Sequence, residues 1–230
     1  MHTLRISRNI TWNGTLTEKA TALCRMFGLT ADHLADRTAT YACALTVRPG
    51  DVVLVTGPSG SGKTVLMNEL HRATPVEDRI SLDQIALPDD CSVIDCIGAN
   101  LIKSIRLLST AGLNDVFCLL NRPANLSEGE QYRYRLAVAL SLGKPFVFAD
   151  EFCSGLDRIT AATIAYKIRK FATKTATIFF LAAGQDDFAL DLSPDIIVRT
   201  ELCGDTRVTY RDLNRETSRC RNHLVSSRPE

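Results

Sequence analysis

The chain has 230 residues, 45 % hydrophobic and 23 % charged, and its 27 Lys and Arg nearly cancel its 26 Asp and Glu, leaving a net charge of +1. At this length folding buries roughly 70–75 % of the chain's surface, so a substantial core is available, and the balance of charge excludes a disordered tail protein and a strongly basic nucleic-acid coat. The longest apolar run, Ile178 to Ala183, is far short of the roughly 18 residues that a membrane-spanning helix needs. No continuous apolar stretch near the start reads as a secretory signal, so a cytoplasmic location and no membrane insertion are expected. The eight cysteines are dispersed, with no CxxC spacing. They are expected to be reduced and mostly buried.

In chain order, alternating Leu4, Ile6, Ile10 and Trp12 predict an opening strand, and Asn13-Gly14 a turn. Thr15 and Glu18 have the spacing of a capping box for a helix whose apolar face is Leu16, Ala20, Leu23 and Phe27, with Gly28 ending it. Short strands follow at 41–47 and 52–55. Further apolar runs lie at 146–149, 177–182 and 196–198, each separated from the last by a segment of helical periodicity. Continuous β-branched and apolar runs mark buried parallel strands, and their alternation with helices predicts an α/β sheet. Between 88 and 143 the pattern is helical, with no strand, which predicts a helical insertion.

Directly after the run Val52-Val53-Leu54-Val55 stand Gly57, Pro58, Ser59, Gly60, Ser61, Gly62, Lys63 and Thr64, and then a helix. Glycines allow the backbone N–H groups to curl around phosphates at a helix N-terminus. Lys63 then reaches the outer phosphates and Thr64 offers an oxygen to Mg2+. The loop names a nucleotide and not a task, and its wording also resembles that of guanylate kinases. A second constellation is the apolar strand 146–149 ending in Asp150 and Glu151, at the edge where open α/β sheets bind ligands. Asp150 reads as a magnesium ligand and Glu151 as the group that polarises the water attacking a γ-phosphate. Third, Leu126-Ser127-Glu128-Gly129-Glu130-Gln131 opens a helix. Capping alone explains Ser127 and Glu130, but it leaves Gly129 unaccounted for. A small residue at a helix tip exposes N–H groups to an anion.

Together these residues resemble the nucleotide-binding domain of ABC-type ATPases, whose LSGGQ signature stands here as Leu126-Ser127-Glu128-Gly129-Glu130. The resemblance covers most of the chain. It implies a P-loop NTPase of α/β class, with a mixed sheet core and a short helical insertion. On this reading residues 1–230 form a single domain with an N-terminal extension over 1–40 and a helical subdomain over 88–143. It further implies a D-loop containing Asp157, a Q-loop glutamine at Gln84, and Gln185 in the catalytic position where the family normally has a His. A Gln amide hydrogen-bonds a phosphate but does not exchange a proton as imidazole does. Segments near Asp150 and Gln185 also look like a soluble prokaryotic and phage subgroup, some of whose members are joined to an acetyltransferase-like domain.

The implied cofactors are ATP and Mg2+, and the implied assembly is a homodimer closed by ATP, with Lys63 of one chain facing Ser127 of the other. A soluble ATP-dependent switch acting on a protein or nucleic-acid partner is the expectation favoured by Glu130, because relatives acting on DNA often carry an acid there. The alternatives are the ATP-binding subunit of a transporter with a separate membrane partner, and a nucleotide or small-molecule kinase. Trp12, Phe27 and Tyr41 are all candidates to stack on the base. Arg207, Arg211, Arg215 and Arg219 recur at helical spacing, as either a solvated face or a phosphate contact.

Overall fold

The computed structural model describes residues 1–30, 33–34, 38–184, 189–202 and 205–211. Its centre is a six-stranded sheet in the order β4-β5-β6-β3-β7-β8, built from β3 (Val52–Thr56), β4 (Arg79–Ser81), β5 (Phe146–Ala149), β6 (Ile178–Ala183), β7 (Ile196–Thr200) and β8 (Thr206–Tyr210). The strands pair in parallel except β7 with β8, so the sheet is mixed. A separate antiparallel pair, β1 (His2–Thr11) and β2 (Thr38–Val47), lies over one face.

Both faces of the central strands are covered, which explains why they read as unbroken apolar runs. Because strand side chains alternate, Val53, Val55, Phe146, Phe148, Phe180 and Ala182 enter one core, with Leu45 and Val47 of β2 and Leu66 and Leu70 of α2 (Lys63–Arg72). Val52, Leu54, Val147, Ala149, Phe179 and Leu181 enter the other. That second core is closed by α3 (Leu101–Thr110), α5 (Glu128–Ser141) and α6 (Arg158–Thr175). Phe148 and Phe180 stack at 4.6 Å, which adds an aromatic contact between neighbouring strands.

Two expectations need correction. The helix after Asn13-Gly14 is α1 (Glu18–Met26), capped by Thr17, whose side chain accepts the Ala20 N–H at 3.2 Å, and not boxed by Thr15 and Glu18. Glu18 falls at the first helical position, too early to reach back to the cap. No residue of α1 is buried; Leu23 is 56 % and Phe27 72 % exposed, so the apolar face predicted for it has no cover among the described residues. The arginine stripe is not helical where it is described. Arg207 lies in β8, between buried Thr206 and Val208, and Arg211 follows that strand; Arg215 and Arg219 lie outside the described residues. Strand β4 and strand β8 have no apolar run to announce them. Two short helices, α4 (Val116–Leu120) and α7 (Ala189–Leu192), complete the chain. No helix among the described residues is long and apolar enough to cross a membrane.

Candidate nucleotide-binding site

The loop 57–64 joins the end of β3 to the start of α2. Gly57, Gly60 and Gly62 have φ of 156°, 78° and 85°, a region that residues with a Cβ avoid. Gly62 is the N-cap of α2, so its turn aims the first free N–H groups of that helix into the loop. Ser61 is buried and shares a 2.6 Å hydrogen bond with Thr200 at the end of β7, which anchors the loop to the sheet. Lys63 Nζ donates to the carbonyls of Gly57 and Pro58, both at 2.9 Å, and so spans the loop from within. Pro58, Ser59 and Gly60 form its exposed rim.

Beside the loop lies a cleft of about 420 Å³ lined by Thr64, Gln84, Asp150, Glu151 and Ser154 among others. Four of the residues singled out in the sequence thus converge on one space, although they come from α2, the short 3-10 turn after β4, and the end of β5. Glu151 has φ 49°, an unusual conformation for a residue with a side chain, and its N–H binds Asp150 Oδ1 at 2.9 Å. Such strain persists only where neighbouring structure imposes it. Here Phe152 N–H is held by the carbonyl of Ala182 at 2.6 Å, which fixes the turn to β6.

The fit for magnesium rests on the donor set. Thr64 and Asp150 bring two hard oxygen ligands to the same cleft, and the described residues hold no cluster of three or more His, Cys, Asp or Glu that would form an all-protein metal cage. Mg2+ is usually held by one or two protein oxygens plus phosphates, so this sparse set suits the ion together with a nucleotide.

Ser127 and Gly129 are not brought to that cleft. Ser127 is the exposed N-cap of α5, and its N–H and hydroxyl both donate to Glu130 Oε2, at 2.9 and 2.8 Å. The Cys118 thiol donates to the other oxygen at 2.9 Å. These bonds, the thiol's first, hold the Glu130 carboxyl down to about 2, and Glu130 in turn pushes Cys118 up to about 11. Gly129 faces the segment before α6: a Cβ there would stand 3.2 Å from Leu156 Cδ2. Asp157 caps α6, accepting the N–H groups of Ile159 and Thr160 at 3.1 and 3.0 Å. Gln185 lies outside the described residues.

Curated proteins align along most of the chain. It is 27 % identical to the lipoprotein-releasing system ATP-binding protein LolD of Pseudomonas syringae over 223 residues, covering 81 % of this chain and 97 % of that protein. To the zinc import ATP-binding protein ZnuC of Roseobacter denitrificans it is 26 % identical, covering 70 % of this chain and 69 % of that one. These relatives are ABC-type ATP-binding proteins, and the chain has the α/β fold of a P-loop NTPase. The same fold is seen in a dimeric structure of a bacterial ABC transporter cassette, with a TM-score of 0.60 at 20 % identity, covering 74 % of this chain and 91 % of that one. No protein-family model matches the chain. An ATP-dependent lipid A-core flippase of Dechloromonas aromatica is 30 % identical over a shorter stretch, 27 % of its length.

Two residues of the cleft were missed by sequence reasoning. His71 on α2 and Arg135 on α5 both line it, and each has a buried nitrogen, Nε2 and Nε, with no hydrogen-bond partner. Burial first, and Arg79 next, lower the His71 imidazole's pKa. The signal was available: Thr64, Asn68 and His71 lie at i, i+4 and i+7, and Tyr132 and Arg135 at i and i+3, each set on one helix face.

Proposed function

We propose that this chain binds and hydrolyses ATP with Mg2+ as one half of a head-to-tail pair, and that the pair works as the ATP-binding subunits of a transporter with a separate membrane partner. The convergence of Thr64, Gln84, Asp150 and Glu151 beside a glycine-turned loop carries the ATPase reading. The transporter reading is favoured by LolD and ZnuC, whose names describe ATP-binding proteins of release and import systems.

In this reading the N–H groups of the loop and Lys63 receive the phosphates, with Lys63 exchanging its two loop carbonyls for phosphate oxygens. Thr64 and Asp150 would hold Mg2+, whose charge would neutralise that of the phosphates. Glu151 orients and polarises the attacking water, and Gln84 closes the cleft from the far side. Ser127 and Gly129 present the N-terminus of α5 to the γ-phosphate held by the other chain, and Asp157 stands next to that contact. Exposure of Ser127, and its distance from its own chain's cleft, support a site completed by a second copy. ATP favours closure because its γ-phosphate bridges both halves, and hydrolysis removes that bridge. Gln185 would contact the γ-phosphate in place of the usual His.

A soluble switch on nucleic acid drew on Glu130. That carboxylate is engaged by Ser127 and Cys118, so local helix capping accounts for an acid at this position without DNA. A kinase gives Ser127, Gly129 and Asp157 no part in the reaction beyond the helix caps at Ser127 and Asp157.

The test uses the Glu151→Gln protein. It is expected to bind ATP, to turn over at least a hundredfold more slowly, on the order of about 2.7 kcal/mol in the barrier, and to sediment as a dimer only with ATP. Immobilised, it should retain a multispanning membrane protein. A monomer at saturating ATP overturns the paired site. DNA-stimulated turnover with no membrane protein retained overturns the transporter role while leaving the ATPase intact.

A further inference from the structure

Beyond Gln84 the chain folds into a tight turn that no nucleotide role uses. Asp95 and Cys96 N–H groups both donate to the Ser92 carbonyl, at 3.0 and 3.1 Å, and the Ser92 hydroxyl binds the Asp95 carboxylate. The turn is pinned from outside, because Val93 N–H donates to Asn121 O at 2.9 Å and Ile94 N–H to Leu119 O at 3.1 Å. Val93 is fully buried beneath it. These bonds leave the two flanking cysteines face to face: Cys91 Sγ and Cys96 Sγ are 2.7 Å apart.

That separation lies inside ordinary sulfur–sulfur contact and a short step from the bonded distance of about 2.05 Å. The ordering needed to bring two thiols together is already supplied by the turn. Both residues are half-buried, so small reagents reach them. Among the other described cysteines, Cys118 is engaged with Glu130, and Cys43 and Cys153 are buried.

We propose that Cys91 and Cys96 are a thiol–disulfide exchange site that reacts with small-molecule disulfides of the glutathione class to close a bond across the turn. The reaction balances as a dithiol exchange. A thiolate of the pair attacks one sulfur of the reagent disulfide and expels one reagent thiolate, giving a mixed disulfide. The second protein sulfur then attacks the protein sulfur of that mixed disulfide and expels the other reagent thiolate. Two electrons pass from the protein sulfurs to the two reagent sulfurs, and the two thiol protons end on the two reagent thiols. A hydrogen bond with Cys96 pushes Cys91 up to about 12; whichever sulfur attacks the reagent, the other resolves the mixed disulfide. Cys96 also hydrogen-bonds the hydroxyl of buried Tyr134 on α5, the helix that begins at Ser127. Closing the bond replaces the Cys96 thiol at that contact with a disulfide sulfur, so the oxidation state of the turn is felt by the helix carrying the signature residues.

The site is independent of the ATPase reading, and its test needs no nucleotide. The folded full-length chain is equilibrated with oxidised glutathione, free thiols are capped with iodoacetamide, and the intact protein and its peptides are weighed. The expected result is a loss of two hydrogens from a peptide linking Cys91 to Cys96, restored by dithiothreitol. In Cys91→Ser the expected product is a stable glutathione adduct on Cys96. Both thiols alkylated in the wild type, separate glutathione adducts on each, or a bond from either to another cysteine would overturn the proposal. The wild-type measurement stands even if the variant fails to fold.

Discussion

Gly62 lies directly under the ring of Tyr41: a methyl group at position 62 would stand 2.0 Å from Tyr41 Cε1. The ring belongs to β2 and is buried at 8 % exposure, so it has no easy route aside. A packing contact between the outer β pair and the phosphate loop therefore demands the same residue as the left-handed backbone turn, at φ 85°. Gly62→Ala is expected to lose about 1–3 kcal/mol to backbone strain and more to the clash. Adding Tyr41→Ala should recover only the second part. Denaturant unfolding of the three variants measures both.

The cap at Ser127 predicts a pH dependence. Glu130 has its carboxyl at about 2 in the folded chain against an ordinary 4.5, so its stabilisation is fully present above 4.5 and fades as pH falls toward 2. Since the group is only half-buried, screening keeps the effect at the scale of a helix cap, about 1 kcal/mol. Wild type and Glu130→Ala should therefore differ in unfolding midpoint at pH 7 and converge only as pH falls to about 2 and below. A difference that persists unchanged at pH 2 would mean that the carboxylate is not the stabilising species.

Asp195 joins three elements. Its carboxylate accepts the Val52 N–H at 2.9 Å and pairs with Arg169 on α6, with side-chain exposures of 21 % and 27 %. Arg169→Met leaves the acid with one partner at the root of the strand that leads to the phosphate loop. This half-buried pair lies between the surface and core extremes, so a loss of about 1–3 kcal/mol is expected. High salt should reduce the difference between variant and wild type in thermal melts.

Arg135 has a buried Nε without a hydrogen bond, an arrangement that costs about 1–3 kcal/mol where nothing else answers it. Arg135→Met should thus melt no lower than wild type. If the guanidinium instead serves an anion drawn into the cleft, the variant's turnover should fall at unchanged stability. Paired denaturation and ATPase measurements separate the two effects.

The parts of this molecule that are legible in its sequence are those whose chemistry is local. A run of glycines before Lys63 and Thr64 needs no distant partner to curl, and an apolar strand that ends in Asp150 and Glu151 is recognisable from its own residues. Ser127 and Asp157 also proclaim their caps by spacing alone, and both caps are present. Tertiary structure decided everything that depends on which surfaces meet. It set Tyr41 against Gly62, turned Arg135 and His71 into the same cleft as Glu151, and drew Cys91 to Cys96 by pinning their turn to Leu119 and Asn121. It left the apolar residues of α1 exposed and put Arg207 on a strand edge, because periodicity records which side chains share a face and not what stands opposite that face.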